Sequence, residues 1–257
     1  MIEPVLYGHS IGISQTALLV AVAFWTWLWG PIGLILATPL TADVAYYQRL
    51  IAMDRDEAAE IVEAELSRGA PRIYDEVMLP ALNYARRDRE RDELTDEQLD
   101  FVARVSRELV DELVAPATEA VSEARGRILG CPGQDELDSV ALHMLADVLA
   151  AAGVLASEIV AQVEDARPSC ICVAALPPGG LAHTRYLLKR LRARVTGVCV
   201  VVGRWGVTVG PLEDPAPLVA AGADRVATTL AATRDHILEL MPLLAAPAAP
   251  EPMRRTA

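Results

Sequence analysis

The chain has 257 residues, 53% of them hydrophobic, with 23 basic and 35 acidic side chains and a formal net charge of −12, a length that allows one or two domains. Such an acidic balance excludes a phosphate-backbone partner, because nucleic-acid binding needs a basic stripe to displace condensed counterions. Four cysteines (Cys131, Cys170, Cys172 and Cys199) form no paired framework, which fits a reducing compartment.

Up to position 48 only Glu3 and Asp43 are charged. Thr16 to Thr41 is a run of 26 residues without a charge, long enough at about 1.5 Å per residue to cross a hydrocarbon core of about 30 Å. It reads as membrane-embedded, since a signal peptide would have a basic start and a shorter apolar core. Gly30-Pro31 falls mid-segment and must kink or break a helix. A bent span and a re-entrant hairpin, with Trp25, Trp27 and Trp29 near a water boundary, both fit these residues. Residues 1–42 are assigned to this membrane segment.

Residues 43–125 follow a helical pattern and read as a bundle. Gly69 and Pro71 end one helix and open the next, and Pro80 should kink the helix that follows. Thr95-Asp96-Glu97-Gln98 is a capping-box start. Leu99, Val102, Ser106, Leu109 and Leu113 follow at spacings of three and four, giving that helix one face to bury. The mixed-sign run Arg86 to Glu93 reads as a solvated helix end.

From Arg127 the period changes. Apolar runs at Arg127–Cys131, Cys170–Leu176 and Val198–Val202 alternate with helical stretches at Asp135–Ala152, Leu181–Ala193 and Ala216–Ala221. That alternation predicts an α/β domain with a parallel sheet over residues 126–244. In such sheets ligands bind at the carboxyl ends of the strands, here the turns Pro132–Leu137, Pro177–Leu181 and Gly203–Gly206. Asp135, Leu137, Pro177, Gly179, Gly203 and Arg204 are the candidate crevice residues. Residues 245–257, rich in Ala and Pro, read as a disordered tail.

No catalytic constellation emerges, and the expectation is a non-enzyme without a metal site. Asp135-Glu136-Asp138 is what a helix N-terminus favours through its dipole. Cys170 and Cys172 share one face of a strand as small apolar residues. His143, His183 and His236 lack partners at triad spacing, and there is neither a Walker loop nor a Gly-x-Gly-x-x-Gly turn.

Two stretches carry a resemblance. Leu6-Tyr7-Gly8-His9-Ser10 with Gly12-Ile13-Ser14, then Phe24-Trp25-Thr26-Trp27-Leu28-Trp29-Gly30-Pro31-Ile32-Gly33 and Pro39-Leu40-Thr41, resemble the last membrane segments of the autoinducer-2 exporter family of bacterial permeases. Tyr74-Asp75-Glu76-Val77 with Pro80-Ala81-Leu82, and Gly222-Ala223-Asp224, resemble a cobalamin-binding module, which pairs a four-helix cap with a flavodoxin-like domain. The resemblance implies an inner-membrane protein with a cytoplasmic sensory or regulatory domain. Its partners would be the lipid bilayer and copies of itself or other permease subunits. A corrinoid-binding module and a structural, oligomer-forming subunit are the alternatives.

Departures from the cobalamin pattern imply no bound cofactor. In that fold the first strand leads into Asp-x-His-x-x-Gly, whose His ligates cobalt; the matching positions are Asp135, Leu137 and Val140. The Trp and Glu-His pair of sensory caps match Arg89, Leu99 and Asp100. Gly203-Arg204 stands for a double-Gly turn, so Arg204 and Trp205 should intrude where a nucleotide tail would lie. Between Gly153 and Ser157 there is room for only three residues, which implies loss of the second strand.

Overall fold

The structure, a computed structural model, describes residues 42–113, 127–152, 154–158, 168–195, 197–206 and 214–244. The apolar segment Thr16–Thr41 and the tail 245–257 therefore lie outside the described residues.

The first half is helical. Residues 42–51 form α1. Asp54 then caps α2 (Arg55–Ala64), accepting a hydrogen bond from the Glu57 N–H at 3.1 Å. After a single 3-10 turn at Leu66–Arg68, α3 (Ala70–Ile73) carries Pro71 in its first turn, where the missing N–H costs nothing. The expected Pro80 kink takes the form of a π-turn, Tyr74–Met78, leading into α4 (Leu79–Glu90). Pro80 cannot donate to the carbonyl four residues back, and widening the preceding turn re-registers the ladder around that gap. Reciprocal bonds between Thr95 and Gln98 (3.2 and 3.1 Å) start α5 (Asp96–Leu113), which buries Val102, Val105, Ser106, Leu109 and Val110.

The second half is β1 (Arg127–Pro132), α6 (Glu136–Ala150), β2 (Leu155–Glu158), β3 (Cys170–Ala174), α7 (Leu181–Arg194), β4 (Cys199–Gly203), α8 (Ala216–Ala221), β5 (Arg225–Ala227) and α9 (Leu230–Leu244). All strand pairs are parallel, in the order β2-β1-β3-β4-β5, which is the flavodoxin-like order. The second strand is thus present, against the sequence expectation. Four residues suffice because β2 is an edge strand that pairs with β1 alone. The turn before it is tight, with the Val154 N–H bonding the Leu149 carbonyl at 2.9 Å.

Strand residues alternate between two cores. Leu129, Ile171, Val173, Val200 and Val202 pack with Leu188, Leu191 and Leu218 beneath α7 and α8. Ile128, Cys170, Cys172, Ala174 and Val201 face α6, α9 and the helical cap in a larger cluster that includes Tyr46, Tyr74, Leu82 and Leu137. Cap and sheet therefore share one core.

Candidate functional site

The cap meets the strand ends along a single ridge. Leu79, Asn83, Arg86 and Glu90 are spaced i, i+4, i+7 and i+11, so they share one face of α4. Gly206 lies under the start of the ridge, where a Cβ would come 2.6 Å from Asn83 Nδ2 and 2.9 Å from the Leu79 carbonyl carbon. Asn83 Nδ2 donates to the Trp205 carbonyl at 2.9 Å. At the far end, a Cβ on Gly179 would come 2.6 Å from Glu90 Oε1.

Arg86 is the centre of this contact and is only 4% exposed. Its Nη1 donates to the Leu176 carbonyl at 2.5 Å, and its Nη2 donates to Asp138 Oδ1 at 2.9 Å and to Asp135. Asp138, fully buried, also accepts from the Leu176 and Gln134 N–H groups at 2.9 and 2.8 Å. Burial, the largest influence, pushes the Asp138 carboxyl up, while Arg86 and the Leu176 N–H pull the other way. Turns at the ends of β1 and β3 are thereby tied to one guanidinium from the cap.

Flanking contacts fasten the same interface. Tyr74 OH donates to Asp147 on α6 at 2.9 Å. Asp75 caps α9 from across the chain, accepting from the Leu230 and Ala231 N–H groups at 2.7 and 3.2 Å. Both residues lie in the π-turn, which aims consecutive side chains at two different helices.

The residues expected to line the crevice fall as follows. Asp135 caps α6 by accepting from the Leu137 and Asp138 N–H groups. Leu137 is buried in the shared core and offers no ligating atom. Pro177 and Gly179 form the β3–α7 turn, and Gly180 closes it at φ +69°, where any Cβ would collide with Gln134. Gly203 ends β4. Arg204 does not intrude: its Nη1 reaches back to the Ala175 and Gly179 carbonyls at 2.8 and 3.0 Å and holds that turn in place. Trp205 is the residue that fills space. Its indole lies over Gly203, where a Cβ would collide with the ring, and Nε1 donates to Thr233 Oγ1 on α9 at 2.8 Å.

Of the three cap positions, Arg89 bonds the Leu94 carbonyl (3.2 Å) and Asp96 (2.5 Å), Leu99 packs on the core and Asp100 is exposed. Sequence reasoning missed Asn83 and misplaced Arg86 on a solvated helix end. The available signal was phase, since position 86 continues the face begun by 79 and 83. Two buried polar atoms on this ridge, Asn83 Oδ1 and Arg86 Nε, have no hydrogen-bond partner among the described residues.

Residues 44–114 match the B12 binding domain family. The fold resembles that of the Methanosarcina barkeri monomethylamine corrinoid protein, with a TM-score of 0.54 at 16% identity, covering 76% of this chain and 96% of that one. Over 67 residues the chain is 31% identical to the AI-2 transport protein TqsA of Escherichia coli (strain K12), covering 26% of this chain and 18% of that protein. A second transport protein of the same strain, YhhT, is 38% identical over 42 residues, 16% of this chain and 12% of that one. The chain spans less than a fifth of the length of these curated relatives.

These findings correct two expectations. A B12-type cap over a corrinoid-protein fold points to a cobalamin-type cofactor and overturns the reading of a module that holds none. Placement in the bacterial inner membrane is corrected for the described residues: among them no helix is long and apolar enough to cross a membrane, and their fold resembles that of a corrinoid protein, while the apolar segment 16–41 lies outside them. The fold is thus a parallel α/β sheet with a helical cap of the cobalamin-binding kind.

Proposed function

We propose that residues 42–244 form a corrinoid-binding regulatory module, which takes the macrocycle between α4 and the carboxyl ends of β1, β3 and β4. The observation that carries this reading is the pair of orphaned polar atoms on a B12-type cap: Asn83 Oδ1, an acceptor, and Arg86 Nε, a donor, are buried without a hydrogen-bond partner among the described residues. A buried polar atom left unpaired costs about 1–3 kcal/mol, which a ligand carrying both a donor and an acceptor would recover. The primary carboxamides that fringe a corrin ring have that complement.

The histidine-ligated mode does not fit, because Leu137 has no donor atom. A corrinoid held here would therefore depend on contacts to the ring edge rather than on a side-chain ligand from position 137. Bound there, the corrinoid would supply a coloured metal centre that exchanges its upper ligand. Asn83 and Arg86 would hold the ring edge once α4 has moved off Asp135 and Asp138. Gly203 and Trp205 close the floor of the junction, and the tight contact of α4 with the turns makes ring entry and cap displacement one event. The short likenesses to bacterial transport proteins favour a permease as the recipient of that motion.

The test is to incubate the full chain with hydroxocobalamin or adenosylcobalamin and follow absorbance through gel filtration. Colour co-eluting with protein at close to one corrinoid per chain is expected, and an Asn83→Leu, Arg86→Met double variant should retain less than a tenth of it. Protein eluting colourless with both cobalamins would overturn the reading.

A further inference from the structure

A second chemical feature lies at the opposite end of the sheet. Cys170 opens β3 and Cys199 opens β4, and the two are in-register partners across the parallel pair. Neighbouring strands run about 4.8 Å apart, inside the Cα separation of about 4.4–6.8 Å that a disulfide spans. Both side chains pack on the cap-side core. Cys170 is fully buried, whereas Cys199 is half-buried.

From this juxtaposition we infer that Cys170 and Cys199 are a peroxide-oxidised thiol pair that forms a reversible disulfide between β3 and β4. The assignment is independent of the corrinoid reading. Cys199 is the attacking thiol because it is the one solvent reaches. The neighbouring Cys170 thiol pulls the Cys199 thiol below its usual range, against burial and the Asp224 carboxylate, with the Arg192 guanidinium assisting. Arg192 is fixed there by Asp224 (2.5 Å) and by the Gly222 and Val198 carbonyls (2.7 and 2.6 Å).

In the first step the Cys199 thiolate attacks one oxygen of a hydroperoxide, an S–O bond forms, the O–O bond breaks, and water or an alcohol leaves with the thiol proton. The sulfenic acid then meets the Cys170 sulfur. Formation of the S–S bond expels the hydroxyl, which leaves as water with the Cys170 proton. Two thiols and one peroxide become one disulfide, and two electrons pass from sulfur to oxygen.

The test treats the full chain with a few equivalents of hydrogen peroxide, alkylates the remaining thiols and maps peptides by mass. Titratable thiols should fall from four to two, the new crosslink should join the peptides of Cys170 and Cys199, and dithiothreitol should restore all four. Cys199→Ser should abolish the crosslink, and Cys172→Ala should leave it intact. Over-oxidation of Cys199 to the sulfinic acid with Cys170 still free, a link between Cys170 and Cys172, or an unchanged thiol count would each overturn the assignment.

Discussion

The two faces of the sheet solve the burial problem by different means. Under α7 and α8 the core is almost wholly apolar: Leu129, Ile171, Val173, Leu188, Val200, Val202 and Leu218 meet without a buried charge among them, and the buried Thr184 hydroxyl bonds the Gly180 carbonyl of its own helix start. On the cap side an apolar core of similar kind is crossed by Arg86, Asp138, Asp75 and the Tyr46–Ser106 pair, whose hydroxyls lie 3.1 Å apart. Apolar contacts tolerate repacking, whereas directional bonds between desolvated charges admit one arrangement or none. The first face holds the domain together, and the second specifies how the cap sits on it.

Removing the guanidinium should break the contrast most severely. Arg86→Ala leaves Asp138 as an uncompensated buried charge and is expected to cost about 3–5 kcal/mol in urea unfolding. Arg86→Met combined with Asp138→Leu should recover only part of that loss, because it removes the uncompensated charge but leaves the Leu176 and Gln134 N–H groups and the Leu176 carbonyl without their side-chain partners. Full recovery in the double variant would mean that the cap is held by packing alone.

On the other face, Leu188→Ala should cost about 2–4 kcal/mol. Proteolysis of the variant should reveal loosening around α7 while the cap–sheet junction stays protected. Simultaneous loss of both would show that the two faces form one cooperative unit.

The smallest effect concerns acidity. Asp43 in α1 is 1% exposed and accepts from Tyr84 OH and from the Val44 N–H, yet burial pushes its carboxyl from the ordinary value of 3.8 up to about 6. A carboxyl raised in the folded state is neutral at low pH without cost, so its contribution is fully present below 3.8 and is lost as pH rises through about 6. Wild-type stability should therefore fall by roughly 1–2 kcal/mol between pH 4 and 7 on this account, after discounting for screening. Asp43→Asn should flatten that part of the profile, with the remaining slope belonging to Asp75 and Asp138, which burial also pushes up.

Much of this was legible from local pattern. The Thr95–Gln98 capping box and the apolar stripe of α5 are properties of consecutive residues and appear as read. The alternation of apolar runs and helices was enough for a parallel sheet. What pattern could not reveal depended on partners distant in sequence. β2 has four residues and β5 three, each stabilised by a neighbour rather than by its own periodicity. Arg86 sits in a charged run that composition assigns to solvent, and only its bonds to Asp138, 52 positions away, bring it inside. Arg204 was read as an obstruction when its carbonyl partners, 29 and 25 positions earlier, make it a brace.

Trp205 gives the molecule its own optical probe. The other three tryptophans (Trp25, Trp27 and Trp29) fall in the N-terminal apolar segment, so in a fragment beginning near Asp43 one indole would account for the tryptophan emission. That indole is fully buried and donates to Thr233, while the backbone carbonyl of Trp205 accepts from Asn83 of the cap. Any lifting of α4 admits water to the ring and shifts its fluorescence to the red, whereas a coloured macrocycle arriving beside it quenches the emission.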